Sequence, residues 1–251
     1  MTASPDPIAE LTRLIAASRR ITFFGGAGVS TESGIPDFRS ADGIYSEAYR
    51  RTLRPEEVVS HSFMERDPAT FFDFYREKLI YPDARPDAAH LALARLERED
   101  KLLGVVTQNI DGLDEMAGTH RVAELHGTTM RNYCVDCGRS YTRDWMYRTT
   151  GVPRCKACGG MVRPDVVLYE EGLDESVIEQ AVSWIRAADL LIVAGTSLQV
   201  YPAAGLIRYY SGHHLVLINK TPTPADTNAD LIIHVPVGQV MAQAVGRDAG
   251  E

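Results

Sequence analysis

Ile21-Thr-Phe-Phe-Gly-Gly-Ala-Gly-Val-Ser-Thr-Glu-Ser-Gly34 is the stretch on which the fold turns. Its first four residues are apolar or β-branched and read as a strand buried on both faces. A glycine turn follows, and then residues that open a helix. A strand ending in such a turn offers backbone N–H groups to a phosphate. The competing reading is a tight turn that merely needs small residues. Gly26-x-Gly28-x-x-Thr31 also lacks the third glycine of the dinucleotide fingerprint. A hydride-transferring dehydrogenase needs that glycine and an acidic ribose ligand about 20 residues further on, so the match to that class is incomplete.

Outward from this stretch, strand-like runs recur at 102–107, 122–125, 190–194, 215–218 and 231–234. Helical rhythm lies between several of them. Ala89, Ala92, Leu93 and Leu96 keep the i, i+3, i+4, i+7 spacing, as do Val177, Ile178, Ala181, Val182 and Ile185 with small offsets. Apolar strands alternating with amphipathic helices indicate a parallel sheet covered on both faces. The expected fold is α/β, a Rossmann-like doubly wound sheet. Residues 45–83, rich in aromatics and charges, and 131–163 interrupt the alternation and read as insertions. The chain is expected to form one domain over 1–251. Its large lobe takes 1–44, 84–130 and 164–251, and its small lobe takes 45–83 and 131–163. A cleft between lobes is a preferred place for a ligand.

Residues 131–163 hold all four cysteines, Cys134, Cys137, Cys155 and Cys158. Two Cys-x-x-Cys pairs separated by 17 residues have the spacing of a four-thiolate zinc site. Each two-residue gap lets one turn aim two sulfurs at one ion, and Gly138, Gly159 and Gly160 supply turn residues. Disulfides fit poorly in a chain without an export signal, and a redox pair leaves the duplication unexplained. The expectation is one structural Zn²⁺ with no position open to water. This zinc ribbon carries a side-chain charge of +5, which raises the rival reading of a binding module for nucleic acid or an acidic partner. The net charge of −8 over 251 residues argues against nucleic acid as the main partner. With 45% hydrophobic and 24% charged residues and no membrane-length apolar run, the expectation is a soluble, cytoplasmic protein.

Polar residues end several strands: Thr107-Gln-Asn-Ile-Asp111, Leu125-His-Gly127, Gly195-Thr-Ser197 and Ile218-Asn-Lys220. In a parallel sheet such ends converge on one crevice. With Gly34-Ile-Pro-Asp-Phe-Arg39, Arg163-Pro-Asp-Val-Val-Leu-Tyr-Glu-Glu171, Gly195-Thr-Ser-Leu-Gln-Val-Tyr-Pro-Ala-Ala204 and the cysteine tetrad, the chain resembles the sirtuins, NAD-dependent protein-lysine deacylases. The resemblance runs from about Leu11 to Val240. Where many sirtuins read Phe-Gly-Glu, this chain has Tyr169-Glu170-Glu171.

The resemblance implies a deacetylase that uses NAD as co-substrate and acetyl-lysine proteins or peptides as substrates. Nicotinamide is its product and inhibitor. The acyl oxygen attacks the nicotinamide ribose carbon as nicotinamide leaves, a ribose hydroxyl then attacks the resulting imidate, and water completes the release of lysine and acyl-ADP-ribose. His126 is the candidate base for the second attack, set against the bland reading of a core histidine. His90, His213 and His214 keep the bland reading. Asn109 and Arg39 join His126 as catalytic candidates. Ala27, Gly28, Thr31 and Arg39 would meet the pyrophosphate, and Phe38 would wall the nicotinamide pocket. Ile110 and Asp111 would receive the nicotinamide amide, and Gln108 and Asn109 the ribose or an ordered water. Thr196 and Ser197 would meet phosphate, with Asn219 and Val237 at the adenosine end.

Sirtuins that remove acidic acyl groups read the distal carboxylate with a Tyr-x-x-Arg pair. The matching positions here are Phe72 and Tyr75, neither cationic. A register slip to Tyr75 and Lys78 would give a poorer, monodentate reader. Acetyl is therefore expected over succinyl. Longer neutral acyl groups and ADP-ribose transfer to protein are the enzymatic alternatives.

Overall fold

Residues 21–25 form strand β1 (Ile21–Gly25), buried along its whole length. A computed structural model describes residues 6–38, 43–44, 53–223 and 225–246. On one side of β1 lie β2 (Leu102–Thr107) and β3 (Val122–Glu124). On the other lie β7 (Leu190–Ala194), β8 (His214–Ile218) and β9 (Leu231–Ile233), while β4 (Gly127–Cys134), β5 (Ser140–Thr142) and β6 (Val162–Val166) belong to a second sheet. The order is β3-β2-β1-β7-β8-β9 and every neighbouring pair is parallel.

Side chains alternate between two apolar layers. Phe23 and Ile192 join α1 (Pro7–Ala17), α5 (Ala88–Arg98) and α9 (Val237–Val245) through Leu11, Leu93 and Val240. Phe24, Leu191 and Val193 join α8 (Glu175–Ala187) through Ala181 and Ile185. Both faces are covered, which is why these strands read as unbroken apolar runs. The strands lie within a residue or so of their expected limits. After β1 the chain makes a 3₁₀ helix, Ala27–Ser33, rather than an α-helix. Gly28, Val29, Ser30, Thr31 and Ser33 are weak α-formers, which accounts for the tighter winding.

The first interruption contains α2 (Pro55–Val58), α3 (His61–Arg66) and α4 (Pro68–Lys78). Ser60 caps α3 by accepting from the Phe63 N–H, and Asp67 caps α4 by accepting from the Thr70 N–H. After α5 and β2 comes the short α6 (Leu113–Met116). The second interruption is an antiparallel sheet of β4 (Gly127–Cys134), β5 (Ser140–Thr142) and β6 (Val162–Val166), in the order β5-β4-β6, with α7 (Arg143–Arg148). The two interruptions share one core. Phe63, Phe71, Phe72, Phe74 and Tyr75 pack in the same cluster as Cys134, Met146, Cys155 and Val162. Among the described residues no helix is long and apolar enough to cross a membrane.

Candidate active site

The strand order reverses between β1 and β7. Doubly wound sheets bind ligands beyond the carboxyl ends of the strands at such a switch point. A cavity of about 1340 Å³ opens there. The glycine turn forms its floor and is locked to the turn after β7: the Gly26 N–H donates to the Ala194 carbonyl and the Gly28 N–H to Gly195, at 3.1 and 2.8 Å. A Cβ on Gly28 would lie 2.7 Å from the Gly195 Cα. That glycine is required by the packing of two loops, whatever ligand approaches them.

Ala27, Gly28, Thr31, Phe38, Gln108, Asn109, Ile110, His126, Thr196, Ser197, Asn219 and Val237 all line this cavity. Arg39 lies outside the described residues. Asp111 is not among the lining residues: its carboxylate accepts from the Ser30 hydroxyl at 2.7 Å and from the Leu113 N–H at 2.9 Å. Asn109 donates to the same Ser30 oxygen at 3.0 Å, so Ser30 ties Asp111 to a side chain that does line the cavity. Gln108 donates to Thr196 Oγ1 at 3.1 Å, bracing the ends of β2 and β7. The Asn219 amide nitrogen donates to the Thr221 carbonyl at 2.7 Å, which leaves its oxygen as the atom able to accept.

His126 follows β3. Its Nδ1 lies 2.9 Å from the Gln108 carbonyl, an obligate acceptor, so the proton sits on Nδ1 and Nε2 keeps its lone pair. Burial depresses the pKa of the ring, and the Gln108 bond pulls it back only in part. The arrangement is that of a neutral imidazole ready to accept a proton. Gly127 beside it has φ +69°, and a Cβ there would run into the Asp165 carbonyl of β6. The close approach of β6 is what requires glycine at this position.

The four cysteine sulfurs lie within 4.8 Å of one another. Cys134 and Cys158 are 3.4 Å apart, and Cys137 and Cys155 are 3.7 Å apart. A tetrahedron with Zn–S bonds near 2.3 Å has sulfur edges of roughly 3.8 Å, so the thiols fit zinc and are far from disulfide contact. Gly138 and Gly159 take φ of +68° and +79° at the two knuckles. Of the basic ribbon residues, Arg131 is bound to Glu124 and Asp165, and Arg163 to Glu171. Those pairs consume part of the charge on which a nucleic-acid reading would rest.

Phe72 and Tyr75 are fully buried in the shared core and are not among the lining residues. The apolar wall comes instead from Ile35, Phe38, Val59, Leu79 and Ile110. Lys78 pairs with Glu77 at 3.0 Å on the exposed side of α4. The segment 166–171 forms another wall, and the Val167 N–H donates to the His126 carbonyl at 3.0 Å. In that segment Glu171 takes both ends of the Arg163 guanidinium, at 2.7 and 3.0 Å. Burial alone would raise its pKa, but Arg163 and its hydrogen bonds hold it at about 2.

Sequence reasoning passed over Ser30 and Lys220, and gave His90 only the bland reading. Ser30 and Lys220 stood inside quoted motifs, and Lys220 lines the cavity. His90 is fully buried and bonded to Asp87 at 2.9 Å. Burial works against its charge, yet Asp87, Asp114 and Asp111 outweigh it and raise the pKa. Its spacing on an apolar helix face carried no signal of that acidic surrounding.

Residues 26–202 match the Sir2 family. A relative from Clostridium perfringens, an NAD-dependent protein deacetylase, is 57% identical over 241 residues, covering 96% of this chain and 99% of the relative. A solved Sir2 structure with a deacetylated p53 peptide and 3′-O-acetyl ADP ribose is similar at a TM-score of 0.85 and 36% identity, covering 94% of this chain and 96% of that one. A Sir2 structure with p53 peptide and NAD⁺ is similar at 0.82 and 37%, with 94% and 96% covered. The family match takes in the glycine turn, the His126 strand end, the four cysteines and the turn after β7, and the chain belongs to the Sir2 family.

Proposed function

We infer that this chain is an NAD-dependent protein-lysine deacetylase, moving the acetyl group of acetyl-lysine to ADP-ribose with release of nicotinamide. The observation that carries the reading is His126, a neutral imidazole with Nε2 uncommitted, on the wall of the switch-point cavity. The relatives named for this activity support it.

The site fits NAD. At about 1340 Å³ the cavity exceeds the roughly 300–1,000 Å³ of ordinary small-molecule sites, giving room for a dinucleotide and an acyl-lysine together. NAD supplies the ribose carbon that receives the acyl oxygen and the nicotinamide that leaves. Ala27, Gly28, Thr31, Thr196 and Ser197 would hold the pyrophosphate with backbone and hydroxyl donors, and Arg39 with its charge. Asn219, Lys220 and Val237 would flank the adenosine. Phe38 and Ile110 would hold the nicotinamide end, with Asp111 acting from behind them by fixing Asn109 through Ser30. Gln108 fixes the His126 tautomer through its carbonyl, and His126 would take the proton from the ribose hydroxyl. Zinc would clip the ribbon and stay out of the chemistry, since four thiolates leave it no open position.

The shared core of the two interruptions supports a small lobe of 45–83 and 131–163 set against a large lobe of 1–44, 84–130 and 164–251, together one domain. Four unbridged cysteines support a cytoplasmic location. The test is mass spectrometry of an acetyl-lysine peptide incubated with the protein and NAD. Deacetylated peptide and acetyl-ADP-ribose are expected, with loss of roughly 10² to 10⁴ in rate for His126→Ala and NAD binding retained. Turnover by His126→Ala within a few-fold of the parent, or ADP-ribose attached to protein in place of deacetylation, overturns the reading.

A further inference from the structure

The 166–171 segment, tied to His126 through the Val167 N–H, brings Tyr169 and Glu170 to the cavity. Glu170 has φ +76°, a left-handed backbone that disfavours any residue with a Cβ. It occupies the position where many sirtuins carry glycine. Its exposed carboxylate accepts from the Ser62 N–H and hydroxyl, both at 2.9 Å, and these bonds hold it below its ordinary pKa range. A charge held in a disfavoured backbone at a binding rim is a mark of function. Beside it Tyr169 is 38% exposed, and Tyr201, 70% exposed, lines the same cavity. Glu56, also exposed, lines the same cavity.

The cations near Glu170, His61 and Arg66 among them, attract its carboxylate but also have carboxylate partners elsewhere. Arg163 is spent on Glu171, Arg66 lies 3.4 Å from Glu57, and His61 is bonded to Glu171 at 2.8 Å. The lining lysine, Lys220, follows β8, which three strands separate from β3, the strand that His126 follows. Tyrosine faces and a carboxylate share one preferred partner, a planar cation that can stack and hydrogen-bond at once.

We propose that Glu170, Tyr169 and Tyr201 form a subsite for a cationic residue, arginine above all, flanking the acetyl-lysine of the substrate. The proposal rests on the deacetylase reading and specifies its substrate class: acetyl-lysines in basic sequence context. Glu170 and the two tyrosines act as specificity-determining residues and take no part in proton transfer.

The experiment compares acetyl-lysine peptides that carry arginine, its neutral isostere citrulline, or glutamate at the flanking positions. For the parent protein, arginine should raise kcat/KM about 5- to 10-fold over citrulline, through KM, with glutamate lowest. The gap should shrink in about 0.5 M salt, where exposed charges are screened. In Glu170→Gln the arginine-to-citrulline ratio should fall below about 2-fold. Glu170→Gly, which relieves the left-handed backbone, should show the same fall with an unchanged or higher melting temperature. Equal kcat/KM for arginine and citrulline peptides, or a ratio untouched in both variants, overturns the subsite and leaves the deacetylase reading standing. A protein that deacetylates none of the peptides overturns both.

Discussion

His126 holds its proton on Nδ1 because the Gln108 carbonyl 2.9 Å away can only accept. Burial lowers its pKa from the ordinary 6.5, since the charged ring would lose more hydration than the neutral one. The sign follows directly. A base works in its neutral form, and a depressed pKa keeps it neutral to lower pH. The acid limb of kcat/KM for peptide deacetylation should therefore be centred below pH 6.5. An acid limb centred at or above 6.5, seen in a pH–rate profile, rules out His126 as the base in this environment. Asp114 shows the opposite case nearby: burial raises it to about 6, so at pH 7 part of the acidic surrounding of His90 stays close to its titration point.

At the scale of elements, the ribbon and the helical insertion depend on each other. Cys134 and Cys155 are zinc-ligand candidates and also members of the core containing Phe63, Phe71 and Tyr75. A structural zinc contributes roughly 10–16 kcal/mol to folding, as much as the whole stability of an ordinary domain. Removing it should release β4, β5 and β6 and then loosen α2 to α4, while the six-stranded sheet persists. Hydrogen exchange of chelated protein should show fast exchange over 131–163 and 55–79 and retained protection in β1, β2, β7 and β8. Unchanged exchange over 55–79 contradicts the shared core. Active protein with less than about half an equivalent of zinc contradicts the site itself.

For the molecule as a whole, the choice of acyl group follows from where the cations are. Among the described residues lining the cavity, Lys220 is the lysine or arginine present, and it sits at the β8 side. The apolar wall of Ile35, Phe38, Val59, Leu79 and Ile110 has no partner for a carboxylate. Desolvating an unpaired charge there is unfavourable enough for acetyl-lysine to be processed at least roughly 10-fold faster than succinyl-lysine in one peptide. Faster succinyl removal in side-by-side rates shows that a cation reaches the acyl end. The sequence reached this preference through Phe72 and Tyr75, and the structure supports it through different residues.

That substitution of reasons marks the division between sequence and tertiary structure. Strand and helix content, the parallel sheet and the cysteine tetrad were legible because each rests on short-range periodicity or spacing: the apolar run at 190–194, the 3.6 rhythm at 89–96, two Cys-x-x-Cys turns. The strand-end motifs were legible because a parallel sheet sends all its carboxyl ends to one edge. Which side chains face the crevice depended on pairing between distant segments. Asp111 lies behind Ser30 because the 3₁₀ turn brings that hydroxyl within 2.7 Å, and Glu171 is spent on Arg163 rather than offered to a substrate. Gly127 answers to β6 across the ribbon, and Tyr75 points its ring into a core built from two separate interruptions. Local pattern determines which elements form. The direction of a single side chain within them is decided by packing against residues tens of positions away, and no local period encodes that.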